Sequence, residues 1–202
     1  MKPISVHVIK IDVVAAAKEK LLATLNKEDL ERYSRYRREE DKLRFLGGRA
    51  LIYRLVGSPI QFEEKGKPFV EGSKHFSISH SGDFVGIALD DSAPVGLDIE
   101  GRSDASQSLV NHVCSQPEID FIEKKGLDAF FEIWTKKEAL IKCTGTGMTV
   151  SLKEINVAKE GENEYMGRLF YIQHIVLGAY HLSVCSSRKF DKILIQQETQ
   201  IV

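Results

Sequence analysis

The sequence predicts an α+β chain, and three observations carry that reading. Apolar residues alternate at Ile4, Val6 and Val8, and again in short runs after Pro59, which is the period of half-buried strands. Elsewhere they recur every three or four residues, as in Val14, Ala17, Leu21, Leu22 and Leu25, the spacing of a helix face. The same order of elements, helix first and strands after, is then met twice along the 202 residues. A chain of this length accommodates one large domain or two of about 100 residues. A boundary near Glu100–Ser103 would divide it into residues 1–100 and 101–202.

Taken in order, Ile4–Val8 reads as an opening strand and VVAAAKEKLLATL as a helix. Asn26 is a good N-cap for a second helix. From Lys27 to about Val56 there is no Pro, and Gly occurs only at 47 and 48, which predicts one long helix bent at Gly47–Gly48. Beyond Pro59 come short strand-like runs, IQFEE, GKPFVEG, HFSISHS, FVGIALD and VGLDIE. Turn residues at Ser81-Gly82-Asp83 and Ser92-Ala93-Pro94 separate the last three, which are expected to pair antiparallel. Helical periodicity returns in LVNHVCS, in PEIDFIEKK with Pro117 in its first turn, and in DAFFEIWTKKEALIKCTG. The remainder reads as strands again: INVAKE, YMGRLFYIQHIVL, AYHLSVCSS and KILIQQE. Ala50-Leu51-Ile52 leading to Gly57 is echoed by Ala139-Leu140-Ile141 leading to Gly145, a hint of duplication.

Composition excludes several classes. The chain is 43% hydrophobic and 28% charged with 15 Gly and 5 Pro, which rules out disorder and collagen-like repeats. A net charge of −1 gives no global field toward nucleic acid or an anionic membrane. No apolar run approaches the ~20 residues that span a bilayer, and MKPISVHVIKID lacks the apolar core of a signal peptide. Cys114, Cys143 and Cys185 form neither a disulfide framework nor a zinc set, so a reducing cytoplasm is the expected location.

Chemistry-bearing residues concentrate in three places. Asp98 and Glu100 in VGLDIE stand two apart on a strand, so their carboxylates share a face while Leu97 and Ile99 turn the other way. Convergent carboxylates suit a hard cation such as Mg2+, although an isolated D-x-E is most often a solvated strand end. Trp134, Glu138 and Lys142 follow at i, i+4 spacing on one helix face, where an exposed Glu–Lys pair contributes only about 0.2–0.5 kcal/mol. If Glu138 joined Asp98 and Glu100, three carboxylates could hold one ion, with Lys142 beside it to neutralise a phosphate. In the third place, Lys67 lies in a Gly-Lys-Pro turn and Ser79-His80 at a strand end, supplying a cation, a hydroxyl and an imidazole. Upstream, Arg32, Arg35, Arg37, Arg38, Arg44 and Arg49 alternate with acids; Arg44 and Arg49 flank the two glycines.

Five motifs in one order give the chain a resemblance. Asp41-Lys42-Leu43-Arg44-Phe45-Leu46-Gly47-Gly48, the G-K-P turn at 66–68, F-S-I-S-H-S-G at 76–82, V-G-L-D-I-E at 95–100 and W-T-K-K-E-A-x-x-K-x-x-G-x-G at 134–147 resemble the 4′-phosphopantetheinyl transferases of the larger, pseudodimeric type. The resemblance implies two similar α+β halves related by a pseudo-twofold axis, with the active site and coenzyme A in the cleft between them. It implies Mg2+, with Mn2+ as an alternative ion, on Asp98, Glu100 and Glu138, and Lys142 beside the pyrophosphate. Arg44, Lys67, Pro68 in the same turn, Ser79 and His80 would contact the coenzyme A nucleotide and its 3′-phosphate. Glu118, where similar proteins carry an acid, would help to activate the attacking serine. Some similar proteins carry lysines early in the long helix, where this chain has Glu28 and Glu31 with Arg32 and Arg35.

The implied reaction moves the phosphopantetheine arm from coenzyme A to a serine of an apo acyl or peptidyl carrier protein. A carboxylate, Glu138 or Glu118, directly or through water, would take the serine proton. Mg2+ on Asp98, Glu100 and Glu138 would offset charge on the phosphates, Lys142 would stabilise the developing negative charge, and 3′,5′-ADP would leave. Val113, Ile119, Phe121 and Ile122 are expected to contribute partly to the carrier dock and partly to the core. A single chain is expected to be complete as a monomer, with no nucleic acid or membrane partner. Two other readings use the same residues: a non-catalytic module for a nucleotide or single-stranded RNA, and a Mg2+-dependent phosphohydrolase acting on nucleotides.

Overall fold

A computed structural model describes residues 1–147, 150–157 and 161–201. Strand β1 (Ile4–Lys10) leads into helices α1 (Ile11–Ala16), α2 (Lys18–Leu22), α3 (Lys27–Arg35) and α4 (Glu39–Leu55). The short strands β2 (Gln61–Phe62) and β3 (Pro68–Phe69) form a hairpin, followed by β4 (His75–Ser81), β5 (Phe84–Asp90) and β6 (Val95–Gly101). Helices α5 (Gln107–Val113), α6 (Gln116–Lys125) and α7 (Leu127–Thr144) precede β7 (Gly161–Tyr165), β8 (Arg168–Leu177), β9 (Tyr180–Ser186) and β10 (Ile193–Glu198). The α+β expectation is met. No helix among the described residues is long and apolar enough to cross a membrane.

Three local expectations change. The predicted long helix is two: it stops where Tyr36 turns extended (φ −70°, ψ 134°), while Gly47 and Gly48 lie inside α4. Those glycines admit neighbours rather than a bend, since a Cβ on Gly47 would sit 3.0 Å from Val14 Cγ2 and one on Gly48 3.2 Å from Ile78 Cδ1. The run after β1 is likewise divided, at Ala17 (φ −103°, ψ 6°). The predicted N-cap holds, Asn26 accepting from the Asp29 N–H at 2.8 Å. Of the INVAKE run, 155–157 lie in no strand and 158–160 fall outside the described residues.

Two four-stranded sheets, ordered β10-β1-β5-β4 and β6-β9-β8-β7, carry the fold. β4 and β5 pair antiparallel as expected, but β6 pairs with β9 and belongs to the second sheet. In both sheets the first strand pairs with the last of its run, and that strand with the one before it, all antiparallel: β1-β5-β4 and β6-β9-β8. Alternation sorts the side chains into layers. Ile4, Val6 and Val8 meet Val95, Leu97, Ile99, Leu182 and Val184 between the sheets. The outer faces are covered by α1–α4 around Leu46, Leu51 and Ile52 and by α5–α7 around Phe130, Leu140 and Ile141. β10 crosses back to pair parallel with β1, its Glu198 held by His7 at 2.7 Å and Arg54 at 2.6 Å. Cys114, Cys143 and Cys185 are free and buried.

The sheets are stitched at one edge by side chains. Ser77, Ser79 and Ser81 alternate on β4, so their hydroxyls share a face, and each accepts a β6 backbone N–H: Leu97 (3.0 Å), Ile99 (3.2 Å) and Gly101 (3.0 Å). The residues between those donors, Asp98 and Glu100, turn toward α7. The seam between the two sheets is therefore where the acids emerge.

Candidate active site

Strand periodicity places Asp98 and Glu100 side by side at this seam, and helical periodicity sets Glu138 and Lys142 of α7 above them. Asp98 is 3% exposed; its Oδ1 accepts from Ser79 Oγ at 2.9 Å and from Lys142 Nζ at 2.7 Å, while Oδ2 has no hydrogen-bond partner. Glu100 accepts from Ser81 Oγ at 2.8 Å. Burial, and next the charge of Asp98, raise the pKa of Glu100 and of Glu138 above the usual carboxylate range. The three carboxyls are thus close enough to repel one another.

Among the described residues no three His, Cys, Asp or Glu side chains converge as a ready metal-binding set. The ammonium of Lys142, also 3.0 Å from Ser79 Oγ, stands against Asp98 instead. The donor set nevertheless fits a hard divalent ion: three oxygen ligands with unfavourable mutual repulsion, one bearing an unpartnered buried oxygen.

Glu138 and Lys142 line a cleft of about 300 Å³ together with Lys65, Lys67, Pro68, Ser77, Gly145 and Gly147, and Asp98 lies behind Lys142. Lys67 donates to the carbonyls of Cys143 (3.0 Å) and Val95 (3.4 Å), and burial lowers its pKa. Gly66, Pro68 and Ile78 also line an adjoining pocket of about 240 Å³ with Arg32, Arg44, Arg49, Phe45, Phe62 and His80. There Arg44 is aimed by Gly82 O (2.8 Å) and Asp41 Oδ1 (2.7 Å). Desolvation of the His80 ring, then the Lys142 charge, hold its pKa low. The two pockets share Gly66, Pro68 and Ile78 and form one trough, with the Glu138 carboxylate at one end and guanidinium groups at the other. A larger cavity, about 440 Å³ beside Asn111, His112 and Lys153, is lined by no carboxylate, so the acid chemistry belongs to the trough.

The trough also holds Arg49, which the sequence marked beside the two glycines, and Arg32 with Phe62. Arg49 is buried and paired with Asp29 at 2.8 Å, its guanidinium 4.7 Å from the Phe45 ring centroid. Arg32 stacks over Phe45 (5.8 Å) and Phe62 (5.7 Å), and among the described residues it has no carboxylate partner. Phe62 arrives from the β2–β3 hairpin, and no local pattern could have announced that contact.

Glu118 lines neither pocket of the trough. Its Oε2 accepts from the Ser115 N–H (2.8 Å) and hydroxyl (2.9 Å) in the capping box that starts α6, and from Lys137 Nζ at 2.6 Å. Lys137 is fully buried and also donates to Val113 O and Leu152 O. A carboxylate so engaged anchors α6 to α7. Glu118→Ala is expected to cost about 3–5 kcal/mol, because it strands a buried ammonium; a urea denaturation curve reads this directly. Turnover per folded molecule should be unchanged. Of the apolar residues expected at a dock, Val113 is core, Ile119 and Ile122 are half-buried, and Phe121 is exposed.

A trough of this kind sets carboxylate oxygens near guanidinium and ammonium groups, a chemistry suited to an anionic ligand. Comparison with known proteins identifies the class. The sequence model of the 4′-phosphopantetheinyl transferase superfamily matches residues 94–185, the segment that carries Asp98, Glu100, Glu138 and Lys142. 4′-Phosphopantetheinyl transferase Sfp of Bacillus subtilis is 33% identical over 154 residues, 69% of this chain and 68% of Sfp. 4′-Phosphopantetheinyl transferase gsp of Aneurinibacillus migulanus is 31% identical over 152 residues, spanning 69% of this chain and 64% of gsp. AcpT of Salmonella typhi, which carries the same description, is 40% identical over 112 residues, 50% of this chain and 58% of AcpT. The chain belongs to the 4′-phosphopantetheinyl transferase family.

Proposed function

We propose that the protein transfers the 4′-phosphopantetheine arm of coenzyme A to a serine hydroxyl of an apo acyl or peptidyl carrier protein, releasing 3′,5′-ADP. The observation that carries this reading is the pair of adjoining pockets, with Glu138, Lys142 and Lys67 lining one end, Asp98 held behind Lys142, and Arg44, His80 and Arg32 lining the other. Its sequence of charges matches a ligand with a pyrophosphate near its centre and a phosphorylated nucleoside at one end. The repeated pairing β1-β5-β4 and β6-β9-β8 supports two halves related by a pseudo-twofold axis, with the trough at their junction. One chain then completes the site as a monomer. Free cysteines fit a reducing cytoplasm.

Asp98, Glu100 and Glu138 would hold Mg2+, which when bound would offset charge on the pyrophosphate and on the departing phosphate. Lys67 and Lys142 orient the pyrophosphate and stabilise negative charge in a partly dry cleft, where a fixed cation counts for more than in water. Glu138, which lines the cleft, would accept the serine proton, directly or through a water. The serine oxygen forms a bond to the β-phosphorus as the bond to the nucleotide phosphate breaks. Arg44 and His80 hold the nucleotide end, and Arg32 reads the 3′-phosphate. Arg32→Ala is expected to weaken coenzyme A binding by about 1.5–3 kcal/mol and to leave binding of 3′-dephospho-coenzyme A unchanged, as calorimetry would show.

The test of the reaction is incubation with coenzyme A, Mg2+ and an apo carrier protein, followed by weighing the carrier. A phosphopantetheine-sized gain on serine is the expected result. Nucleotide binding without any gain would favour a binding module, and 3′,5′-ADP release without a carrier would favour a hydrolase.

A further inference from the structure

Lys142 occupies one of the two oxygens of Asp98, a carboxylate that would hold a divalent ion. Its Nζ lies 2.7 Å from Asp98 Oδ1 and 3.0 Å from Ser79 Oγ, and Ser79 Oγ lies 2.9 Å from the same Oδ1. That oxygen is already served by a cation and a hydroxyl; only the buried Oδ2 is without a partner. The strand that carries Asp98 is fixed. Asp98 sits at 3% exposure on β6, whose N–H groups on either side, at Leu97 and Ile99, are pinned by Ser77 and Ser79. Lys142 is the more exposed partner: its side chain is 31% exposed and lines the cleft beside Lys65 and Lys67.

We propose that Lys142 gates the metal site, its ammonium holding Asp98 until the pyrophosphate of the donor draws it into the cleft and frees the carboxylate for the ion. The proposal rests on the reading of Asp98, Glu100 and Glu138 as metal ligands and adds the order in which their charges are satisfied. Its physical basis is competition. A divalent ion at Asp98 with Lys142 in place would set like charges on one carboxylate, whereas a pyrophosphate in the cleft gives the displaced ammonium two new anionic partners. Cation and coenzyme A then enhance each other's binding by an equal factor, as linkage requires. Part of that factor comes from the movement of one lysine.

The test reads metal binding rather than turnover. Mn2+ is titrated into the wild-type protein, Lys142→Met and Lys65→Met, each with and without coenzyme A, and free Mn2+ is followed by its paramagnetic resonance signal. Circular dichroism confirms that each variant is folded. Wild type should bind Mn2+ weakly alone and more tightly with coenzyme A. Lys142→Met should bind Mn2+ alone about 10-fold or more tightly than wild type, within the usual range of site-to-site coupling. Its enhancement by coenzyme A should be smaller. Lys65→Met removes the same charge from the cleft without touching Asp98, and should change metal-only affinity far less. Equal metal-only affinity in wild type and Lys142→Met, or an equal rise in Lys65→Met, would overturn the gate while leaving the ligand assignment standing. Absence of Mn2+ binding in every protein with and without coenzyme A would overturn the ligand assignment and the gate with it.

Discussion

Glu138→Gln is expected to abolish transfer and at the same time to raise the melting temperature at neutral pH. The first effect follows from the loss of a carboxylate that serves as proposed metal ligand and base; a fall of about 10²–10³-fold or more is the scale for removing one preorganised electrostatic group. The second follows from the direction of the pKa shift. Burial and the charge of Asp98 raise the Glu138 pKa in the folded protein, so the fold prefers the protonated group. The stability contributed by that preference is fully present below the unfolded value of about 4.3 and is lost as pH rises through the folded value. At neutral pH the ionised carboxylate therefore opposes folding, and the neutral amide relieves it. The stability difference between Glu138→Gln and wild type should shrink toward zero as the pH is lowered below about 4. Adding Mg2+ and coenzyme A should restore stability to wild type by mass action and do less for the variant. Melting curves across pH, read beside carrier mass, test both halves. A variant that is inactive because it is less stable at neutral pH would contradict the electrostatic account of this site.

Strain of that kind was partly legible in the sequence. The period of two puts Asp98 and Glu100 on one face, and the period of 3.6 puts Glu138 and Lys142 on another, so each pair needed only local geometry. What spacing could not show is that Lys142 crosses to Asp98, because that contact depends on how α7 lies over β6. Glu118 illustrates a signal that was present and outweighed. Ser115-Gln116-Pro117-Glu118 has the S-x-x-E form of a capping box with Pro in the first turn, a structural use for the acid that the structure realises. The helix break at Tyr36 carries neither Pro nor Gly, whereas Gly47 and Gly48 invited a bend that close packing explains instead. Arg32 and Phe62 come together only through the hairpin, a non-local contact without a local pattern.

Gly96→Ala is expected to be the most damaging single methyl group that can be added to the β6 motif. A Cβ there would lie 1.9 Å from Ala139 O and 2.5 Å from Cys143 N, both backbone atoms of α7. No rotamer change can relieve a collision with backbone, so the helix itself must move away from the strand. Overpacking usually costs about 1–3 kcal/mol, and this substitution should reach or exceed the upper end. Gly86 on β5 provides the control. A Cβ there would also meet an atom at 2.5 Å, but that atom is Ile99 Cδ1, the far end of a side chain that can rotate. Gly86→Ala should therefore remain folded with a modest fall in its urea midpoint, while Gly96→Ala loses most of its cooperative transition or expresses as insoluble protein. The consequence reaches the chemistry because Ala139 lies between Glu138 and Lys142 in sequence. Lifting α7 from Gly96 lifts Glu138 and Lys142 from Asp98 and Glu100, so any folded fraction of Gly96→Ala should bind Mn2+ with coenzyme A more weakly than Gly86→Ala. In the V-G-L-D-I-E segment, then, the glycine sets the height of the helix above the strand, and the two acids depend on that height for the partners they meet.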